Sequence, residues 1–485
     1  MEKLKMKITV FLCGALDMVL ELVAARILSP YVGSSNLIWT TIIGIMLISM
    51  SIGYWLGGKI ADKKPDINVL SLFILIGAIF TSLIPILEVV LVKPLSEISS
   101  QLVFIAIICS AVVFGIPSFI LAMVSPFAVK LEDDSHEDIG KTSGGISSLS
   151  TIGSIVGTFT AGFLLIPHLG VRVLILIITL VLFVLSFMMF NKKNLQYCIA
   201  MFFCLIVLLG FNYYGKVLFE KNNPDILADV DSQYSRIWVK NELVGDTNYK
   251  ILQVDTGLES YINQETNEMG ADYLYYYNLF DYYNKNAKST LMIGGAAYTY
   301  PTYYLNNYQD KTIDVVEIDD KMTELAKSQF GLDTENPRLK IYHQDGRSFL
   351  NSTKNKYDTI LIDAFKGHNA PFELTTYEAL QKAKNALNDN GMVITNIISS
   401  LEGKDDDFIK YEYATYKAVF PEVKLYKVRD TENSEIQNLI LIGFKNGTNI
   451  NEEKRGQYAN LLSREITGFS SDRKVVTDHY APIGN

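Results

Sequence analysis

Apolar residues follow two different rhythms along this chain. In the first, they form long unbroken runs at about 7–28, 36–57, 68–92, 102–126, 144–166, 170–190 and 196–214. Each run is near or above the roughly 20 residues that a helix needs to cross the apolar core of a bilayer. The pattern predicts a membrane domain of about seven transmembrane helices over residues 1–215. The first run is too long for a cleaved signal, carries Asp17, Glu21 and Arg26, and shows no small-residue cleavage site. Small residues four apart (Gly53/Gly57 and Gly153/Gly157/Ala161) predict close helix packing.

Beyond Tyr214 the runs shorten. Asn222-Asn223-Pro224 breaks a helix, and residues 234–240, 249–254 and 260–263 read as short strands. A helix over 270–283 follows, crowded with Tyr273, Tyr275, Tyr276 and Tyr277. Residues 216–285 thus read as a β-rich prelude with a connecting helix. From residue 286 the alternation becomes regular. Strands are predicted at 290–293, 313–317, 339–343, 358–362 and 392–398, with helices at 321–330, 376–387 and 406–419. Two last strands, 423–428 and 439–444, close the chain as a hairpin. Five βα units and a hairpin describe a doubly wound sheet with an antiparallel last strand. That is an α/β Rossmann-like fold of the S-adenosylmethionine methyltransferase type, over residues 286–485.

Composition separates the same two regions. Of the 485 residues 49% are hydrophobic and 20% charged, but the charge is unevenly placed. Up to Tyr214 there are 13 basic and 12 acidic residues, and beyond it 30 and 40. An acidic soluble region is a poor match for nucleic acid. It suits a cationic small substrate, and equally it suits plain solubility. All four cysteines lie in the apolar region and no two histidines have ligand spacing, so no metal is expected.

The chemistry concentrates at strand ends. Gly294-Gly295 follows the first strand of the regular region, and Glu317 ends the second, 23 residues after Gly294. Strand, glycine turn, helix, strand and acidic residue is the order of a nucleotide-binding βαβ unit. Asp345-Gly346 ends the third strand and Asp363 the fourth. Ligands of open α/β sheets bind outside the carboxyl ends of the strands, so three carboxylates converge on one crevice. For an adenosine ligand, Glu317, with Ile318 beside it, accepts from ribose hydroxyls and Asp345 from the adenine amino group. Asp363, nearest the reacting end, deprotonates an amine or holds a cationic charge. Each carboxylate taken singly reads as well as a strand-end or helix-cap residue.

In the apolar region, Asp17 and Glu21 share one helix face. They read either as a polar pathway or as part of an internal ion pair, with Arg26 reaching for the headgroups. Lysines at 3, 5, 7, 59, 63, 64, 130, 141, 192 and 193 fall on one side if every run crosses, against Lys93 and Arg172 on the other. The positive-inside rule then puts the N-terminus in the cytoplasm. Seven crossings would leave the soluble domain outside, whereas a nucleoside co-substrate calls for a cytoplasmic one. On that chemistry the soluble domain is expected to face the cytoplasm.

The segments IGGAAYTYP, VVEID, DGRSFL, YDTILIDAF, LTTYEAL and TDHYAP resemble the spermidine synthase (polyamine aminopropyltransferase) family. ELVAARILSPYVGSS and SIGYWLGGKIAD are similar to the bacterial members in which such a domain follows a multi-spanning membrane region. The resemblance implies transfer of an aminopropyl group from decarboxylated S-adenosylmethionine to an amine acceptor in polyamine biosynthesis. It implies no tightly bound cofactor, a bilayer as partner, and a homodimer as the expected assembly. It makes Asp363 the catalytic base and Gly294, Gly295, Glu317, Ile318, Asp345 and Gly346 the nucleoside site. Tyr234, Glu259, Tyr275 and Tyr298 become candidate substrate contacts. The chain departs from the family pattern where Ala297 stands for the aspartate of its glycine loop, Tyr275-Tyr276-Tyr277 for a Tyr-His-Glu run, and Glu259 for a glutamine. Those positions handle the aminopropyl group and the amine. Two other readings therefore stay open: a methyltransferase using S-adenosylmethionine itself, and a transporter or sensor whose domain binds a nucleoside or polyamine without turnover.

Overall fold

Among the described residues of the computed structural model, six helices are long and apolar enough to cross a membrane: α1 (Lys3–Val32), α2 (Asn36–Lys63), α3 (Ile67–Ile98), α4 (Leu102–Glu132), α5 (Ile139–Met189) and α6 (Gln196–Asn222). The structure describes residues 2–99, 101–132, 139–191, 195–364, 372–403 and 405–482. The apolar runs at 144–166 and 170–190 both fall in α5. That helix is interrupted at Gly170 (φ 75°, ψ 158°), so its two parts are separate helical segments. α6 continues past residue 214 to Asn222, where the Asn-Asn-Pro sequence ends it.

The small residues act where their spacing predicts. A methyl group built on Gly153 or Gly157 would lie 2.1 and 2.3 Å from the backbone oxygens of Phe11 and Ala15, so α5 lies directly on α1. Gly53 and Gly57 bring α2 equally close to Phe119 and Met123 of α4. Three helices contain a wide π-helical turn, at Glu88–Val92, Ser110–Gly115 and Ala161–Leu165. Arg26 does not run along the helix to a free end; its guanidinium donates to the Gln233 carbonyl at 2.7 Å.

The helices and the start of the prelude meet through buried charge. Arg236, fully buried, pairs with Glu88 at 3.1 Å and with Asp229 at 2.8 Å. Arg172 joins the same two carboxylates at 3.3 and 3.4 Å, and the Trp238 indole donates to Asp229 at 2.9 Å. Lys93 donates to the Asn222 carbonyl, so the two cations of the sparsely charged side both lie at the junction with the prelude. The chain divides into two compact units, residues 1–238 with 254–256, and residues 239–253 with 257–485. One boundary of this division falls inside a prelude strand.

The prelude has four strands, β1 (Ile226–Asp231), β2 (Arg236–Val244), β3 (Thr247–Val254) and β4 (Gly257–Asn263), in chain order across the sheet. β1 is an addition to the sequence reading; its short ILADVD stretch has too little alternation to announce a strand. The expected helix at 270–283 is a 3₁₀ segment, Asp272–Leu279, followed by one α-turn, Phe280–Tyr283.

The second unit then builds β5 (Ser289–Ile293), α7 (Thr299–Asn307), β6 (Thr312–Val316), α8 (Asp320–Gln329), β7 (Leu339–Tyr342) and α9 (Gly346–Ser352). It continues with β8 (Tyr357–Ile362), α10 (Tyr377–Asn385), β9 (Leu387–Ser399), α11 (Asp407–Val419), β10 (Glu422–Lys427) and β11 (Gln437–Phe444). The sheet order is β10-β11-β9-β8-β5-β6-β7, and β11 alone runs antiparallel to its neighbours. That is the Rossmann-like methyltransferase-type arrangement the alternation predicts. Side chains of β5 alternate between two apolar layers: Leu291 and Ile293 pack with residues of α10 and α11, Met292 with the tyrosine-rich layer around Tyr298, Tyr300 and Tyr304. Burial on both faces explains why these strands read as continuous apolar runs.

Candidate active site

The crevice follows from the strand order. β5 leads to β6 and β7 on one side, and the chain returns to β8 on the other, so the loops after β5 and β8 diverge. Gly294-Gly295 occupies the first loop and Asp363 the second. The two are held together by the backbone, the Asp363 N–H donating to the Ile293 carbonyl at 2.9 Å. Gly294 has φ 92°, and a methyl group there would sit 2.1 Å from the Asp363 carbonyl oxygen. Only a residue without a side chain permits this approach.

Two further loop residues, Ala296 (φ 45°) and Tyr298 (φ 55°), adopt the left-handed conformation that non-glycine residues rarely take. Glu317 holds the loop in this shape. Its Oε2 accepts from the Gly295 and Ala296 N–H groups at 2.7 and 3.1 Å, and its Oε1 from the Asp319 N–H at 3.0 Å. Burial raises the Glu317 carboxyl above the usual carboxylate range, and these three N–H groups oppose the rise. Glu317 is therefore a brace of the glycine loop. Oε1 keeps a lone pair for one further donor.

A cavity of about 210 Å³ opens beside this loop. Its charged lining is Asp363, Glu259, Asp272 and Arg429, with Tyr273, Asn396 and the Gly294-Gly295 backbone alongside. Asp363 Oδ2 accepts from the Tyr273 hydroxyl at 3.0 Å and Oδ1 from the Asn396 amide at 3.2 Å. Burial pushes the Asp363 carboxyl up, while the Asn396 and Tyr273 donors pull it back. Behind it, Tyr277 is wholly buried and packs edge-on against Tyr273 and Tyr300. The arrangement offers a fixed carboxylate, able to take a proton, facing a space of small-molecule size.

The cavity thus gathers Gly294, Gly295, Asp363 and Glu259 of the residues singled out in the sequence. The others lie elsewhere. Asp345 is the N-cap of α9, accepting from the Ser348 N–H at 2.8 Å. Gly346 packs under Ile293, and Ile318 is exposed. The Tyr298 hydroxyl bonds Thr323 at 2.8 Å inside the core, and Tyr275 lines a separate hollow with Tyr303. Tyr234 is exposed and belongs to the first unit. Phe365, the last residue of YDTILIDAF, lies outside the described residues. Three cavity residues escaped the sequence reading as individuals. Asn396 carried a signal, a polar residue inside the apolar run of β9. Tyr273 was hidden among four tyrosines, and Arg429 had none.

Three motif segments meet away from the cavity. Arg347 of DGRSFL donates to Asp478 of TDHYAP at 2.6 and 3.1 Å, and to Thr376 of LTTYEAL at 3.0 Å. Thr376 in turn donates to Asp478 at 2.7 Å while capping α10. These motifs tie the C-terminal segment to two helix starts.

Residues 278–436 match the family model described as the spermine/spermidine synthase domain. The polyamine aminopropyltransferase of Vibrio vulnificus (strain CMCP6) is 24% identical over 216 residues, covering 41% of this chain and 70% of that protein. Polyamine aminopropyltransferase 2 of Aquifex aeolicus (strain VF5) is 22% identical over 413 residues, covering 80% of this chain and 78% of that one. A match of that length extends into the helical unit. The polyamine aminopropyltransferase of Alkaliphilus metalliredigens (strain QYMF) is 28% identical over 149 residues, 30% of this chain and 52% of that one. Among solved structures, a probable spermidine synthase from Corynebacterium glutamicum ATCC 13032 is 20% identical, with 53% of this chain and 99% of that chain covered and a TM-score of 0.42. The second unit carries a transferase domain homologous to these enzymes.

Proposed function

We propose that the second unit transfers the aminopropyl group of decarboxylated S-adenosylmethionine to an amine, with Asp363 as base. The observation that carries this reading is Asp363 itself: half-buried, oriented by Tyr273 and Asn396, and facing the cavity beside the glycine loop. The amine lone pair attacks the methylene carbon on sulfur, the C–S bond breaks, and methylthioadenosine leaves. The proton released from the new ammonium goes to Asp363. The protein's main contribution is to hold amine and carbon in line. Glu317 offers its remaining lone pair to the ribose, and Glu259 and Asp272 add negative charge that favours a polyamine. The homologous enzymes, which are named for this reaction, support the assignment. The helical unit anchors the enzyme in a bilayer. We place the catalytic unit in the cytoplasm, where such a donor is made, against the charge pattern; a reporter fused after Asn485 tests this.

One observation favours a second reading. The Arg429 guanidinium lines the same cavity, and Ala297 stands where the family has an aspartate. A cation in the cavity and an alanine in place of an anion suit the carboxylate of intact S-adenosylmethionine, and hence methyl transfer. Full-length protein is incubated with each donor and with putrescine or spermidine. Methylthioadenosine as the product supports aminopropyl transfer, and S-adenosylhomocysteine supports methyl transfer. Tight binding without either product sinks both. Arg429→Ala weakens S-adenosylmethionine more than its decarboxylated form if the guanidinium meets the carboxylate.

A further inference from the structure

Asp17 lies in the middle of α1 and is only 3% exposed. Its Oδ1 has no hydrogen-bond partner. An ionised carboxylate at this depth is costly unless a cation lies beside it. Among the described residues no cation pairs with it, Arg172 of α5 being held by Glu88 and Asp229. α5, which lies on α1 through Gly153 and Gly157, has no ionisable side chain over residues 142–167. α4 brings Ser118, wholly buried and without a hydrogen-bond partner at bonding distance, its hydroxyl facing the Asp17 carboxyl. α2 brings Tyr54. On α1 itself the neighbours are Cys13 one turn before and Glu21 one turn after. Arg26, further along, is committed to the Gln233 carbonyl. Independently, α4 is wound into a wide π-turn, Ser110–Gly115, just before Pro117 and Ser118. Such turns recur at functional sites in helices.

A buried carboxyl, a buried hydroxyl aimed at it, no pairing cation and a half-buried acid four residues away form a proton relay. We propose that Asp17 is a proton-binding site and that the helical unit exchanges protons with the aqueous phase through it. The proton on the Asp17 carboxyl passes to the Glu21 carboxylate and from there to water, and uptake reverses the path. The Ser118 hydroxyl lies buried beside this path. This activity is separate from group transfer, and it rests on α1, α2, α4 and α5 lying in a bilayer.

The test uses full-length protein in liposomes and the apolar reagent dicyclohexylcarbodiimide, which couples to protonated carboxyls in apolar surroundings. The labelled peptide is identified by mass spectrometry. The expected result is label on Asp17 that falls at least about tenfold from about pH 5 to about pH 9. Asp17→Asn loses the label, and Ser118→Ala moves the midpoint. Labelling independent of pH, or no label on Asp17, overturns the proposal. Equal labelling by a water-soluble carbodiimide also overturns it, because the carboxyl then lies in water. If Asp17→Asn does not fold, the wild-type pH profile and Ser118→Ala still decide. Transfer turnover, measured in parallel, is unchanged in Ser118→Ala. Its absence from the wild type would sink the transferase reading and leave the labelling result standing.

Discussion

Replacing Gly294 with alanine tests the geometry of the site with one methyl group. At φ 92° the new side chain is strained, and its Cβ falls 2.1 Å from the Asp363 carbonyl oxygen. Backbone in the left-handed region costs an L-residue about 1–2 kcal/mol. Overpacking adds about 1–3 kcal/mol when neighbours have to move. The obstacle is backbone at the end of a central strand, so it yields poorly. A loss of about 2–5 kcal/mol is expected, visible as a lower melting temperature of the full-length protein. Relief of the contact displaces the Asp363 backbone by about 1 Å, a misplacement worth about a hundredfold in rate. The assay is methylthioadenosine release at saturating donor, with nucleoside affinity measured beside it. Gly295→Ala is the comparison, because a methyl group there meets the Tyr298 ring at 2.7 Å instead of backbone. Gly294→Ala with wild-type turnover and melting would show that the two loops need not touch.

Asp363→Asn should abolish turnover while leaving nucleoside binding within about threefold, because a neutral amide cannot accept the amine proton. Tyr273→Phe removes a donor that favours the charged form of Asp363. The acidic limb of kcat, on which activity appears as Asp363 loses its proton, should therefore move to higher pH, and an unmoved limb would clear Asp363 of the base role. Glu317→Ala deletes three charge-assisted bonds to the loop and should cost about 3 kcal/mol of stability together with nucleoside affinity, checked by melting with and without methylthioadenosine. Glu412 is buried, its Oε1 lacks a partner, and burial raises its carboxyl well above the usual range. A raised pKa stabilises the fold below the unfolded value of about 4.3 and loses that stability as pH rises. Glu412→Gln should accordingly raise the melting temperature at pH 8, with little change near pH 4; equal shifts at both would refute the assignment.

The regular half of the fold was legible because parallel strands buried on both faces must be apolar and must end abruptly. β5, β6 and β8 stop at Gly294, Glu317 and Asp363, and those stops mark the crevice. Elements set by tertiary packing were not legible. α9 has seven residues and no apolar stripe, and β9 begins at Leu387 with the polar Asn388–Asn390 inside it. The 3₁₀ segment is a response to fitting Tyr276 and Tyr277 into a crowded layer, which no local pattern encodes. At the site, Gly294 and Asp363 could be found from strand ends. Tyr273, Asn396 and Arg429 reach the same cavity from elements far apart in sequence, so proximity and not pattern reveals them. Asp345 shows another limit, since the same strand-end aspartate that reads as a ligand contact also caps a helix, and the sequence pattern does not separate the two roles.

The charges around Arg236 decide where the polypeptide can be divided. A fragment starting at Val239 would cut β2 in two. One starting at Ile226 would keep Arg236 and Asp229 but lose Glu88 and Arg172, exposing to water a cluster built for a sealed environment. The β-rich prelude is consequently not separable from the helical half by a single cut. Its first strands belong to the helical half, and soluble expression of the catalytic half alone should yield an aggregating product unless Arg236 and Trp238 are redesigned together with the cut.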